Sequence, residues 1–183
     1  MAWIPGILLV ALVVWFAGAY NALVRLRNRV RNAWHQIDVQ LKRRYDLIPN
    51  LVEVVKDYMS YEQETLQKVI AARGAALEAK GTAAQAKAES ALTESLRSLF
   101  ALVENYPDLK ADRSVAALQE ELTATENKIS FARQFYNDSV MAYNNRIQSV
   151  PSNLVAGLFG FAPEEYFEGG EQARAAVPRA DLR

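Results

Sequence analysis

"LRNRVRNAWHQIDVQLKRRYDLIPNLVEVVKDYM", residues 26–59, decides how the chain folds. Its apolar side chains fall at Leu26, Val30, Trp34, Ile37, Leu41, Tyr45, Ile48, Val52, Val55 and Met59. Steps of three and four alternate, as they do along one face of an α-helix. No glycine or turn cluster interrupts the run, and its phase carries through Pro49. Two readings of Pro49 follow. Either it kinks a continuing helix, or Asp46 caps a new helix with Pro49 in its first turn. The same phase continues through Leu66 and Val69 and fades near Gly74.

Upstream the composition changes. Residues 1–24 carry no charged side chain, and "WIPGILLVALVVWFAGAY" (3–20) is apolar almost throughout. A helix over residues 3–23 would span ~30 Å, the thickness of a bilayer core. The nine Ile, Leu, Val and Phe residues of 3–20 favour insertion by roughly 3–5 kcal/mol. Trp3 and Tyr20 stand at the two ends, where amphipathic rings prefer the headgroup level. The competing reading is a signal peptide cleaved after Ala17-Gly18-Ala19. A positive leading region is missing, and arginines close behind that site oppose translocation. Residues 1–24 are therefore expected to form a transmembrane helix.

Between the two stretches Arg25, Arg27, Arg29 and Arg31 alternate with other residues. On a strand they would share one face. On a helix, two-residue steps turn ~200° and distribute them around the axis. Reading nucleic acid calls for one basic stripe, whereas a helix leaving a bilayer meets headgroups on all sides. The four arginines are accordingly expected to form a membrane-surface collar, each contributing about 1 kcal/mol against an anionic leaflet. The positive-inside rule then places the N-terminus outside and the remainder in the cytoplasm.

Downstream, residues 71–91 are rich in alanine and include Gly74 and Gly81, which predicts a poorly packed tip with a turn. A second helix is expected over about 83–106 and a third over about 114–150, with "YPDLKADR" (106–113) as connector and Pro151 as stop. The third has a seam of Leu118, Leu122, Thr125, Ile129, Ala132, Tyr136, Val140, Tyr143, Ile147 and Val150. A short apolar piece, "NLVAGLFGF" (153–161), follows. Residues 169–183 offer too little to bury and are expected to be disordered. The predicted fold is all-α: a transmembrane helix continuing into an antiparallel, up-and-down bundle of three long helices. The count becomes four if the Pro49 kink or a short C-terminal helix is included. By this reading the domain covers 25–168, with a basic stalk over 25–44.

Composition limits the chemistry. The 183 residues contain no cysteine and one histidine, His35. Disulfides and thiolate chemistry are excluded, and di-iron bundles need Glu-x-x-His twice. No metal and no cofactor are expected; His35 and Asp38 at i, i+3 are too few. Net charge is zero but uneven. Residues 21–44 hold seven basic residues against Asp38, a net of +6, and the chain from Tyr45 onward carries −6. That balance argues against a general nucleic-acid binder.

Three features invite a partner. The lengths of the predicted helices do not match, which leaves Trp34, Ile37 and Leu41 bare on the stalk. Their spacing is that of a coiled-coil seam, so self-association through them is expected; the alternative is that residues 154–161 fold back over them. Lys42, Arg43 and Arg44 form a candidate docking cluster for an acidic partner or lipid headgroups, against the plainer reading of a solvated face paired to Asp38 and Asp46. The repeated Tyr-Asn at 136–137 and 143–144 either packs its rings in the seam or forms a polar layer between helices.

Several stretches read together: "YNALVRLRNRVRNAWHQIDVQLKRRYDLIPNLVEVVKDY" (20–58), "YPDLKA" (106–111), "LQEELTATENKISFARQFYNDSVMAYNNRI" (118–147) and "GF…YFE" at 160–168. This pattern resembles the LemA family of bacterial membrane proteins. The resemblance implies one N-terminal membrane helix, a cytoplasmic helical bundle, no enzymatic activity or cofactor, and an accessory or regulatory role at the cell envelope. The alanine-rich segment 74–91 matches least. The function expected is a membrane-anchored scaffold or adaptor in the inner membrane with the lipid bilayer, further copies of itself and an unidentified protein as partners. The alternative is a bundle-type ligand sensor or enzyme with an internal pocket.

Overall fold

The structure is a computed structural model that describes residues 3–59 and 62–167. Among these residues it is entirely helical: α1 (Ile4–Lys56), α2 (Gln63–Glu78), α3 (Thr82–Val103), α4 (Pro107–Ala111), α5 (Arg113–Gln148) and α6 (Ser152–Leu158). The tail 169–183, expected to be disordered, lies outside the described residues.

α1 runs for 53 residues with Pro49 inside it. The helical phase that crosses Pro49 in the sequence thus corresponds to one unbroken helix. The expected continuation to Gly74 does not occur. The helix stops at Lys56, and turn hydrogen bonds from the Tyr58 and Met59 amides to the Val55 carbonyl close its end. No proline or glycine dictates this stop. Val55 and Met59 are both fully buried, and turning the chain there buries Met59 at the expense of a few helical bonds. Packing overrides a local preference that favoured continuation.

The buried face of α1 is Ala19, Leu23, Val30, Ala33, Ile37, Leu41, Arg44, Tyr45, Ile48, Leu51 and Val55. Compared with the expected seam, Ala33 and Leu51 replace Trp34 and Val52 as the most buried positions. A stripe drifts by one position when ten apolar residues are fitted to a period of 3.6.

By its contacts the chain divides into two compact units. The first comprises residues 1–37 and 132–166. Here the rings of Trp34 (α1) and Tyr136 (α5) lie 5.4 Å apart, edge to face. Arg29 lies over Phe135 at 5.2 Å. The segment after α5 returns along the start of α1: Tyr20 lies 4.7 Å from Phe159 and 5.7 Å from Phe161.

The second unit comprises, among the described residues, 38–131 and Phe167. α2 and α3 form a hairpin about residues 79–81, with Gly81 at φ +84°, a left-handed conformation that suits glycine. At the alanine-rich tip Ala76 and Ala86 are buried, but Ala71, Ala75, Ala83, Ala84 and Ala91 are exposed and a Cβ at Gly74 or Gly81 would meet nothing, so the tip is thinly packed as expected. The connector 106–113 contains the short helix α4, with Pro107 in its first turn and Leu109 fully buried. Asp112 then starts α5. Its Oδ1 accepts from the Ser114 amide at 2.7 Å and the Val115 amide at 3.4 Å, satisfying amides that lack helical partners.

Candidate functional site

Each unit carries one candidate site. In the first unit it lies where the apolar span gives way to the basic collar. Residues 3–15 of α1 are exposed, with Ile7, Leu8, Leu9, Leu12 and Val14 each above 60 %. In water such a surface would be untenable; in lipid it is ordinary. α1 is the one helix among the described residues that is long and apolar enough to cross a membrane. The burial pattern changes at Ala19 and Leu23, which are covered by protein.

The four arginines are not equivalent. Arg25, Arg29 and Arg31 are exposed. Arg27 is half-buried with its guanidinium 5.0 Å from the centre of the Phe161 ring, and Arg29 sits over Phe135. Two of the four thus hold aromatic faces of α5 and the C-terminal segment, which charge alone does not require.

The C-terminal segment is tied down by Asn144. Its Nδ2 donates to the Glu164 carbonyl at 2.9 Å, and its Oδ1 accepts from the Glu164 amide at 3.0 Å. Tyr136 Oη donates to the Glu165 carbonyl at 2.8 Å. Tyr136 and Tyr143 are buried, as the packing reading of the Tyr-Asn repeat anticipates. Asn144, also buried, binds backbone beyond α6 rather than lying in a polar layer. Burial, and then the charge of Glu164, push the Tyr143 phenol above its ordinary value, with Arg27 and Arg31 opposing.

Trp34, Ile37 and Leu41 require a correction. They are not bare: Ile37 and Leu41 are 0 % and 3 % exposed, and Trp34 is half-buried against Tyr136. The expected mismatch of lengths is reduced by the break after Lys56, since α5 has the length expected of it. The rings of the C-terminal segment meet Phe16, Tyr20 and Arg27.

The second unit holds a buried ionic cluster. Glu89 of α3 is fully buried and Arg44 of α1 is 3 % exposed. Arg44 lies 3.3 Å from Glu89 and 2.8 Å from Glu126 of α5, and it donates to Thr93 Oγ1 at 2.9 Å. Tyr45 Oη donates to the second Glu89 oxygen. Gln85 Nε2 donates to Tyr45 Oη at 2.9 Å and to Glu89 at 3.0 Å. Arg73 Nε donates to the Tyr45 carbonyl at 2.8 Å. Burial, then the hydrogen bond to Glu89 and that carboxylate's charge, push the Tyr45 phenol well above its ordinary value.

The candidate docking cluster is therefore divided. Arg44 faces inward and is unavailable to a partner, since a guanidinium on the helix's core face must find carboxylates there. Arg43 is half-exposed and pairs with Glu121, and Lys42 is exposed. The expected pairing along the helix is replaced, for both arginines, by pairing to α3 and α5. A sign of this was present in the sequence. Glu89 continues the apolar spacing Ala86, Leu92, Leu96, Leu99, and Arg44 falls between Leu41 and Ile48. Opposite charges on two apolar seams are candidates to meet.

Comparison with known proteins matches the family described as the LemA family over residues 33–181. "Protein LemA" of Metamycoplasma hominis is 26 % identical over 169 residues, covering 92 % of this chain and 77 % of that protein. "Magnetosome protein MamQ 2" of Paramagnetospirillum magneticum is 24 % identical over 185 residues, covering 87 % of this chain and 68 % of that one. "Magnetosome protein MamQ" of Magnetospirillum gryphiswaldense is similar to the same degree, 24 % identical over 185 residues and with the same coverage. The family match takes in the second half of α1, the whole α2–α3 hairpin and α5, the elements that build the ionic cluster and the Asn144 tie: the chain belongs to the LemA family.

Proposed function

We propose that this protein is a non-catalytic, membrane-anchored adaptor of the bacterial inner membrane, with its N-terminus outside and its helical units presented to the cytoplasm. The observation that carries the reading is the continuity of α1. One helix passes from a lipid-type surface at residues 3–15 into the packed seam at Ile37, Leu41 and Ile48 without a break. Such a helix fixes the units to the bilayer more rigidly than a loop linker would.

The ionic cluster supports the same reading. Arg44, Tyr45, Glu89 and Gln85 satisfy one another. Two grooves of about 260 and 330 Å³ reach the cluster, the first at Arg44 and Glu126 and the second at Tyr45, Arg73 and Gln85, and both are wide open to solvent. Ligand pockets run from about 300 to 1,000 Å³ and enclose most of their ligand. The sensor or enzyme reading therefore has less support than the adaptor.

Self-association belongs to the proposal, but not through Ile37 and Leu41. Val39, Ile70, Leu77 and Phe131, each more than half exposed, are large apolar side chains of that unit available to a second copy or a protein partner. Proximity labelling from the full chain in its native membrane, against an anchor consisting of the span alone, tests the adaptor. A reproducible set of proteins enriched over the anchor is expected. Labelling indistinguishable from the anchor would refute it.

A further inference from the structure

α6 has seven residues and two unlike faces. Ser152, Val155 and Ala156 are buried. On the other side Val150, Leu154 and Leu158 are 81 %, 69 % and 71 % exposed, and Phe159 beside them is 51 % exposed. Leu154 and Leu158 lie one turn apart on α6 and form one stripe, and Val150 stands in the turn just before it. From Ile147 through Pro163 the sequence carries no charge. A helix on a water-facing surface puts polar side chains outward; here Asn153 is the one polar side chain on the exposed side, beside Leu154 and Leu158.

The position of the stripe identifies what covers it. Phe159 lies 5.8 Å from Phe16 and 4.7 Å from Tyr20, so α6 ends beside the span rather than below it. Phe16 stands ~10 Å up the helix from Leu23. The span itself is incomplete as a lipid-facing cylinder, because Ala19 and Leu23 are covered by protein. Residues 3–18 alone give ~24 Å of helix against a core of ~30 Å. An additional apolar surface is needed at the level of residues 16–20, and the α6 stripe lies at that level.

We infer that α6 is a second membrane contact: Val150, Leu154, Leu158 and Phe159 insert into the lipid leaflet at the domain end of the span, at the boundary between headgroups and acyl chains. Interfacial helices seat their apolar face about 5–10 Å below the headgroups, which agrees with the level of Phe159. Exposed Arg25 and Arg31 sit next along α1, where anionic headgroups would meet them. Asn144 and Tyr136 hold the chain that follows α6, so the stripe is presented from a fixed mount.

The inference rests on the membrane-anchored reading, and the test separates the two. The chain has no cysteine, so Val10→Cys, Leu154→Cys, Leu158→Cys and Lys68→Cys can each carry an environment-sensitive fluorophore in the full-length protein. All four positions are exposed, so the label does not disturb packing. The labelled proteins are reconstituted into phosphatidylcholine–phosphatidylglycerol vesicles, with and without lipids bearing a nitroxide high on the acyl chain. At 154 and 158 the expected result is blue-shifted emission that the nitroxide lipid quenches, with water-like, unquenched emission at 68. Failure at 10 would remove the anchor itself. Quenching at 10 with water-like emission at 154 and 158 would overturn the α6 contact alone. Blue-shifted emission there without lipid quenching would also overturn it, and would assign the stripe to a protein surface.

Discussion

Arg44 and Glu89 illustrate what a single residue does on the core side of a helix. Two charges removed from water are stabilised here by each other, by Glu126 and by hydrogen bonds from Tyr45 and Gln85. Removing one partner leaves the other buried and unpaired. Glu89→Ala is expected to destabilise the fold by about 3–5 kcal/mol, read as a lowered midpoint in chemical denaturation. Replacing both, Arg44→Met with Glu89→Leu, should restore much of that loss, since an apolar pair avoids the cost of dehydrating charge. A double variant no more stable than Glu89→Ala would show that the cluster contributes net stability. Tyr45 adds a pH dependence. The folded values of Tyr45 and Tyr143 both lie above the unfolded phenol's ~10. The native state therefore keeps protons that the unfolded chain releases, so stability is full below about pH 10 and falls as pH rises beyond it. Tyr45→Phe should lower stability at neutral pH, because Glu89 loses a donor, and should also flatten the alkaline decline; melting curves between neutral and alkaline pH check both.

At the scale of elements, the helices were legible, and so within three residues were the ends of α3 and α5, but the end of α1 was not. The period of 3.6 in α1, α3 and α5 is written in Val30, Ile37, Leu41 and Ile48, in Leu92, Leu96 and Leu99, and in Ile129, Tyr136 and Tyr143, all of them buried. The stop after Lys56 has no sequence signal because the burial of Met59, not a glycine or proline, sets it. That one unseen break changed the lengths enough to make Trp34, Ile37 and Leu41 look bare. The consequence is testable. Leu41→Ala is expected to cost about 2–5 kcal/mol of stability at any protein concentration, as a core truncation does; a loss that disappears when the protein is concentrated would instead point to an interface between copies. The collar was legible as charge but not as packing. Arg27→Gln and Arg29→Gln should each lower stability by about 0.5–2 kcal/mol through the lost contacts with Phe161 and Phe135. Arg25→Gln and Arg31→Gln should leave stability unchanged, since both side chains are exposed. Thermal melts of the four single variants distinguish them.

For the whole molecule the governing asymmetry is charge along the chain. An uncharged span is followed by a segment of net +6 and then by a remainder of −6. Lysine and arginine close behind a span are retained on the cytoplasmic side, whereas acidic residues count for little. The basic segment and α2 to α6 all follow the span along the chain, so with one span retention of the arginines would retain everything after it. In intact cells a cysteine in place of Ala2 is expected to react with a membrane-impermeant maleimide, and one in place of Lys80 is not. Opening the cells should make residue 80 reactive, which shows that the site is sheltered by the membrane and not by the fold. Exchanging all four collar arginines for lysine should preserve this pattern, because the two residue types count alike in orientation, even though the ring contacts of Arg27 and Arg29 weaken. Exchanging them for glutamine leaves Lys42 and Arg43 as the nearest exposed basic residues, ~16 Å further along α1 from Arg31. Mixed labelling at residues 2 and 80 is then expected, and labelling of the glutamine variant identical to that of the parent would show that the collar does not set orientation.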